Sequence, residues 1–220
     1  MERHRQIIYF KDYFLDFFDQ QTKKVKVKID HVLFVVTVAD RIPQKFFQHL
    51  EGTNGLYEIR VEFQGNIYRI FCCFDEGQVV VLFNGFQKKS QKSPSGELDK
   101  AVKIMNEYFD EKLKQKKMKA KNQKSKTIAT FDEHLDNRYG QVGTAKRTDF
   151  EIKAKAFAIG EVIREERRLA SMTQEQLAEK TGTKKSFISR IENGHSDIQL
   201  STLYKLLEYG LGRKITLTIL

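Results

Sequence analysis

In the first half of this chain, two arginines and a group of lysines are the residues best suited to chemistry. Arg60 ends the run LYEIR, Arg69 sits in NIYRIF, and Lys88, Lys89 and Lys92 fall in GFQKKSQKSP. A guanidinium presents a planar fork of donors that grips two phosphate oxygens at once. A lysine supplies a point charge, or a proton where like-charged neighbours lower its pKa. Such groups suit a phosphate polyanion, and residue chemistry alone does not single out RNA, whose phosphodiester carries its own nucleophile in the 2′-hydroxyl. A protein then needs only to align that group and stabilise the charge building on phosphorus and the leaving oxygen. Pattern alone favours a plainer reading, in which Arg60 pairs with Glu58 or Glu62 and the lysines solvate the surface. The five histidines are scattered without metal-ligand spacing, so no metal and no cofactor is expected.

The second half holds a different signal. Residues 173–194 read TQEQLAEKTGTKKSFISRIENG. Ala178 sits where two helices must approach closely, and Gly182 follows where a turn needs a left-handed backbone. Ile188 and Ile191 then face back onto the first helix. This is the spacing of a helix-turn-helix that reads DNA.

The elements that would position these residues follow from periodicity. Ile7 to Phe10 forms a short apolar strand. Val25, Ile29, Val32 and Val36 recur at helical intervals. Pro43 breaks that region, and Phe46, Phe47 and Leu50 predict one more helical turn. Tyr57, Ile59, Val61 and Phe63 alternate with Glu58, Arg60 and Glu62 as a half-buried strand. Gly65-Asn66 turns into a strand over Ile67–Phe74, and Asp75-Glu76-Gly77 turns into one over Val79–Phe83. Three strands with short turns make an antiparallel meander. Ser95 caps a last helix that runs to about Tyr108. Residues 111–130 are lysine-dominated and read as a linker, because they cannot bury enough surface to offset their ordering entropy. Phe131, Leu135 and Tyr139 then anchor a short helix. From Phe150 on the pattern is helical: Ile152, Ala156, Ile159 and Ile163 lead into the helix-turn-helix. A helix through Leu203, Leu206 and Leu207 stops at Gly210. Ile215, Leu217 and Ile219 alternate with threonines as a lone terminal strand, which wants a partner.

The expected class is therefore α+β: an antiparallel sheet with helices, then an all-α helix-turn-helix domain with a short C-terminal strand. The domains are expected over residues 1–112 and 151–220, with a basic linker segment over 113–150. The net charge is +10, shared by both halves, which favours polyanion partners. No apolar run reaches the length of a membrane span; the longest, around Val32 to Ala39, is too short. The two cysteines, Cys72 and Cys73, are adjacent and in a strand point to opposite faces, so a disulfide between them is not expected. The reading is a reduced, cytoplasmic protein without a signal peptide.

Residues 152–212 resemble the XRE-type helix-turn-helix family. That resemblance places a phosphate-touching glutamine at Gln174 and starts the recognition helix near Thr183 or Lys184. Lys184, Lys185, Ser186 and Ser189 then enter the major groove of operator DNA, Arg190 lies near the backbone, and Lys180 or Arg190 neutralises phosphates. Residues 1–112, on LYEIR, NIYRIF and GFQKKSQKSP, resemble the RelE/ParE superfamily of toxins, in the HigB-like, Gp49-like branch. This resemblance implies a small curved antiparallel sheet and cleavage of messenger RNA on the ribosome. It assigns Arg60 and Arg69 to phosphate and transition-state binding and Lys88 or Lys89 to proton transfer, with Lys92 in support. ParE-type relatives of the same fold instead inhibit DNA gyrase without being enzymes. A further alternative is a helix-turn-helix regulator carrying an inactive RelE-like domain.

HigB-like toxins precede a HigA antitoxin of the XRE type, and this chain has that order. It looks like a toxin–antitoxin pair joined end to end, with Met118 a plausible start for a separate antitoxin. The family implies an antitoxin that represses its own operon as a dimer; the terminal strand over residues 215–220, in the C-terminal region, is the candidate homodimer contact, with addition to the toxin sheet as the alternative. Residues 119–150 are expected to lie on the toxin half, where Asp132, Glu133, Asp136 and Asp149 could meet Arg60 and Arg69.

Overall fold

A computed structural model describes residues 3–88, 95–118 and 128–216. The chain forms two compact units, Met1–Arg147 and Thr148–Leu220. The first is built on a six-stranded sheet: β1 (Gln6–Phe10), β2 (Phe47–His49), β3 (Leu56–Phe63), β4 (Asn66–Asp75), β5 (Val79–Lys88) and β6 (Ile128–Thr130), in the order β2-β3-β4-β5-β1-β6. The predicted meander is β3-β4-β5, antiparallel throughout. β1 joins it parallel to β5, so the sheet is mixed rather than wholly antiparallel. Gln64 and Gly65 both have positive φ between the paired residues Phe63 and Asn66. That is the two-residue turn whose twist suits a hairpin, one residue earlier than the Gly65-Asn66 turn expected.

Alternation along β1 sorts the helices onto the two faces. The Tyr9 ring meets Phe14 of α1 (Tyr13–Asp19) at 4.9 Å and His134 of α4 (Phe131–Tyr139) at 5.6 Å. The next residue, Phe10, points the other way and meets Tyr108 of α3 (Ser95–Met118) at 5.2 Å. α2 (Lys23–Val38) packs on β1 and β3 and buries Val25, Ile29, Val32 and Val36, the predicted stripe, with Thr22 as its cap. α3 covers the opposite face with Ala101, Ile104, Met105 and Tyr108 against Phe71, Val81 and Phe83. It is tied at its far end by Asp75, which accepts from Tyr108 Oη at 2.5 Å and from Lys112 Nζ at 2.6 Å. Burial raises the Asp75 pKa, but those bonds outweigh it and leave the carboxyl below its ordinary value. α1 reaches β5 at Gly85, where a Cβ would stand 2.4 Å from the Phe17 ring.

Two expectations change here. Phe46, Phe47 and Leu50 do not make a helical turn. β2 forms instead, because Phe47 pairs with Ile59 and stacks on Tyr57 at 5.0 Å between ring centroids. The segment read as a linker is structured at both ends: α3 continues to Met118, and Ile128–Thr130 is the edge strand β6.

The second unit holds most of α5 (Ala145–Leu169), with α6 (Gln174–Lys180), α7 (Lys185–Glu192) and α8 (Leu200–Tyr204), the last continued by a π-helical turn over Lys205–Gly210. Thr173 and Gln176 form a reciprocal capping box at α6. Gly182 takes φ +58° in the turn, and Ala178, Ile188 and Ile191 are buried as expected, with Ile163, Leu177, Leu206 and Leu207. The predicted stripe on α5 is met in part: Ile163 is buried and Ile159 packs against the core. Ile152 is exposed, while Phe150, Ala154, Phe157 and Ile163 are buried. Gly160 sets this choice: a Cβ there would fall 2.2 Å from the Ile191 carbonyl oxygen, so α5 turns its glycine to the end of α7. Ile215 lies in irregular chain; residues 217–220 of the expected terminal strand lie outside the described residues.

Candidate functional site

Strand register decides where the cationic residues of the first unit meet. Arg60 of β3 is opposite Arg69 of β4, which is opposite Phe86 of β5. In the next row Glu62, Ile67 and Lys88 are opposed in the same way. Directly opposed residues share a face, as do residues two apart on one strand. Arg60, Arg69 and Lys88 therefore lie on one face, the same one that α3 covers further along. Lys89 and Lys92 lie outside the described residues.

One row earlier stands Glu58, only 1% exposed. Its Oε1 accepts from Arg60 Nη2 at 2.9 Å and its Oε2 from Arg69 Nη1 at 2.8 Å. The Arg60–Glu58 pair that pattern alone favours is thus present, and Arg69 shares the same carboxylate. Gln48 of β2 adds an acceptor to Arg60 at 3.4 Å. Two guanidinium charges against one carboxylate leave a positive excess on this face, and an anion is its natural complement. Arg60 keeps 31% of its side-chain surface open and Arg69 11%, so the pair is anchored from below and reachable from outside. Cys72 and Cys73 do not serve here. Both are buried, and burial holds both thiols protonated, that of Cys73 up to about 12.

The edge of the sheet is completed by the segment after the lysine-rich stretch. β6 pairs antiparallel with β1, Ile8 opposite Thr130 and Phe10 opposite Ile128. Thr130 and Glu133 then form a capping box that starts α4. α4 docks on α2 through one buried carboxylate. Asp30, fully buried, lies 3.0 Å from His134 Nε2 and accepts from Arg138 Nε at 2.9 Å and Tyr139 Oη at 2.6 Å. Burial, and then the Asp30 charge, hold the Tyr139 hydroxyl above its ordinary pKa, so it stays a donor. The Arg147 guanidinium, 1% exposed, donates to Asp136 at 2.6 Å and to the Gly140 carbonyl at 3.3 Å, closing the end of α4. The acidic residues expected on Arg60 and Arg69 are all engaged elsewhere. Asp132 pairs with Arg3 and Arg147, Asp136 with Arg147, Glu133 with Thr130, and Asp149 with Lys153. Asp132, Glu133 and Asp136 lie on α4, which packs on the other face of the sheet, and the counter-charge to Arg60 and Arg69 comes from Glu58. Asp30 was legible as an acid inside an apolar helical stripe, though the partners that make it useful were not.

In the second unit the predicted DNA-contacting residues surround α7. Lys184 is its N-cap residue, and Lys184, Lys185, Ser186 and Arg190 are exposed, as is Lys180. Thr183 and Ser189 are half-buried; Thr183 Oγ1 lies 3.0 Å from Thr181 Oγ1. Lys185 pairs with Glu175 at 2.9 Å, both exposed, a pair that a phosphate can displace. Gln174, expected on phosphate, is half-buried and donates to Glu192 at 2.8 Å. Glu192 is fully buried and also accepts from Arg167 Nε at 2.6 Å and Nη2 at 2.9 Å. It ties α5, α6 and α7 together beneath the reading surface.

Among the described residues no helix is long and apolar enough to cross a membrane, and no group of side chains is placed to hold a metal ion. Residues 16–106 match the family model described as phage-derived protein Gp49-like, and residues 163–209 match that described as helix-turn-helix. Comparison with curated proteins finds no match. The first match spans the arginine pair and Lys88, the second the end of α5 through α7 and the π-helical turn. The chain thus joins a Gp49-like domain, of the RelE/HigB-like toxin family, to an XRE-type helix-turn-helix DNA-binding domain.

Proposed function

We propose that the chain is a toxin–antitoxin pair in one polypeptide: a metal-independent messenger-RNA endoribonuclease acting on the ribosome, restrained by an antitoxin that binds its own operator as a dimer. The observation that carries the enzymatic half is the row Arg60–Arg69, with Lys88 in the next row of the same face. Two anchored guanidiniums suit the non-bridging oxygens of a phosphodiester, and a neighbouring lysine suits the leaving oxygen. Lys89 is the other candidate for that proton, with Lys92 in support. Restraint acts through β6 and α4, which occupy the β1 edge and the face away from the arginines. Such a restraint works by obstructing entry to the ribosome rather than by covering the cationic row. Expression of residues 1–118, with and without residues 119–220 as a second chain, tests the reading. Growth arrest with cut messenger ends is expected from the first alone and relief from the second. Intact messenger with blocked gyrase would instead favour the non-enzymatic ParE-like reading.

The DNA half acts through α7. In the full chain Lys185→Ala combined with Arg190→Ala is expected to weaken operator binding by at least about 100-fold in a gel shift at fixed salt, with an unchanged melting profile. Unaltered affinity in the doubly substituted chain would remove α7 from the interface.

A further inference from the structure

We propose that Glu58 is a positioning residue that sets Arg60 and Arg69 as one clamp for a single phosphodiester. The inference rests on the phosphodiester reading of this face. Its ground is geometric. The two carboxylate oxygens of one buried side chain each take one arginine, Oε1 the Nη2 of Arg60 at 2.9 Å and Oε2 the Nη1 of Arg69 at 2.8 Å. Arg60 and Arg69 are opposed across β3 and β4, so their side chains leave the sheet side by side. Without a shared acceptor, two like charges at directly opposed positions repel and their long side chains splay. With it, each guanidinium is held at one edge and its plane is set. Gln48 fixes Arg60 further at 3.4 Å, on the outermost strand of the meander side of the sheet. A carboxylate placed only to neutralise the face would need no access to both arginines and no burial. Glu58 is 1% exposed and bonded to both. It is itself out of reach of substrate and acts through the arginines.

The placement predicts an asymmetric response to substitution. Glu58→Gln keeps the shape but leaves one acceptor oxygen, which holds only one of the two arginines. Glu58→Ala holds neither. The full-length chain, labelled with 15N, is titrated with a 2′-O-methylated RNA trinucleotide, which cannot be cleaved. The side-chain Nε–Hε signals of Arg60 and Arg69 are followed and assigned by Arg60→Lys and Arg69→Lys. In the native chain both signals are expected to move together with one dissociation constant. In Glu58→Gln a single arginine should follow the probe, with affinity about tenfold weaker, the equivalent of one charge-assisted bond. Glu58→Ala should weaken it further; Glu58→Gln decides the matter if that chain does not fold. Joint movement of both arginines in Glu58→Gln at native affinity overturns the positioning role and leaves the phosphodiester site standing. Tighter binding in Glu58→Gln also overturns it, because Glu58 would then be a competitor of the phosphate. No movement of either arginine in the native chain overturns the site itself, and the positioning role with it.

Discussion

Asp30→Ala is expected to undock α4 from the first unit and to cost about 3–5 kcal/mol of its stability, the range for stranding the partners of a buried ion pair. The cause is that one carboxylate, fully buried, serves three donors from a single helix: His134, Arg138 and Tyr139. Removing it leaves His134, packed against the Tyr9 and Phe18 rings, and Arg138, over Phe18, without their acceptor, and an unpaired polar group beside apolar rings is expensive. Asp30→Asn should cost less, because the amide oxygen still accepts one bond. Hydrogen exchange read by mass spectrometry checks this directly. Peptides covering Ile128–Tyr139 should lose protection, while those covering Leu56–Asp75 keep theirs. Equal protection of α4 in the native and Asp30→Ala chains would show that apolar contacts from Phe131 and Leu135 suffice to hold it. Under the proposed function, the same substitution should also make the full chain toxic.

Glu192→Ala is expected to destabilise the second unit by a comparable amount, about 3–5 kcal/mol, since it strands Arg167 and Gln174. The effect carries a pH signature. Burial raises the Glu192 pKa, but the hydrogen bonds from Arg167 and Gln174 outweigh it and leave the carboxyl below its ordinary value of 4.5. A folded-state pKa below the unfolded one contributes stability that is present above the unfolded value. That stability is lost as pH falls through the folded value. Denaturant unfolding of the native chain should therefore show a constant Glu192 contribution above about pH 5 and a decline below it. Glu192→Gln should flatten that acid slope. An acid slope identical in the native and Glu192→Gln chains would assign the loss to other carboxylates, such as Asp75, whose pKa is also lowered. Operator binding should fall with the unit's stability, because Glu192 braces α7 from beneath without touching DNA.

Much of this architecture was legible from local rules. Alternation over residues 57–63 identified β3, and the interval of three and four over Val25–Val36 identified α2, because period distinguishes a strand from an amphipathic helix. Gly182 was legible because left-handed backbone is cheap only for glycine. Other elements depend on partners distant in sequence. β2 is three residues long and gains its identity from Ile59 and Tyr57. β6 exists because β1 offers an open edge more than a hundred residues away. Neither has a period long enough to be read. The start of the buried stripe of α5 was misplaced because Ile152 is as apolar as Phe150 and Phe157; Gly160, through its approach to Ile191, selects the buried face.

The sequence by itself determined the two kinds of domain, their order, and the residue types able to meet phosphate: Arg60, Arg69 and Lys88 in one, Lys184, Lys185 and Arg190 in the other. These are properties of short windows, where composition and spacing act without long-range help. Only the tertiary structure decided which charges meet. It gave Arg60 and Arg69 a shared Glu58, gave α4 its anchor in Asp30, and turned Gln174 inward to Glu192. The physical reason is that an ion pair is chosen by distance and burial, and both are set by strand register and helix docking. A list of acids and bases along the chain contains neither.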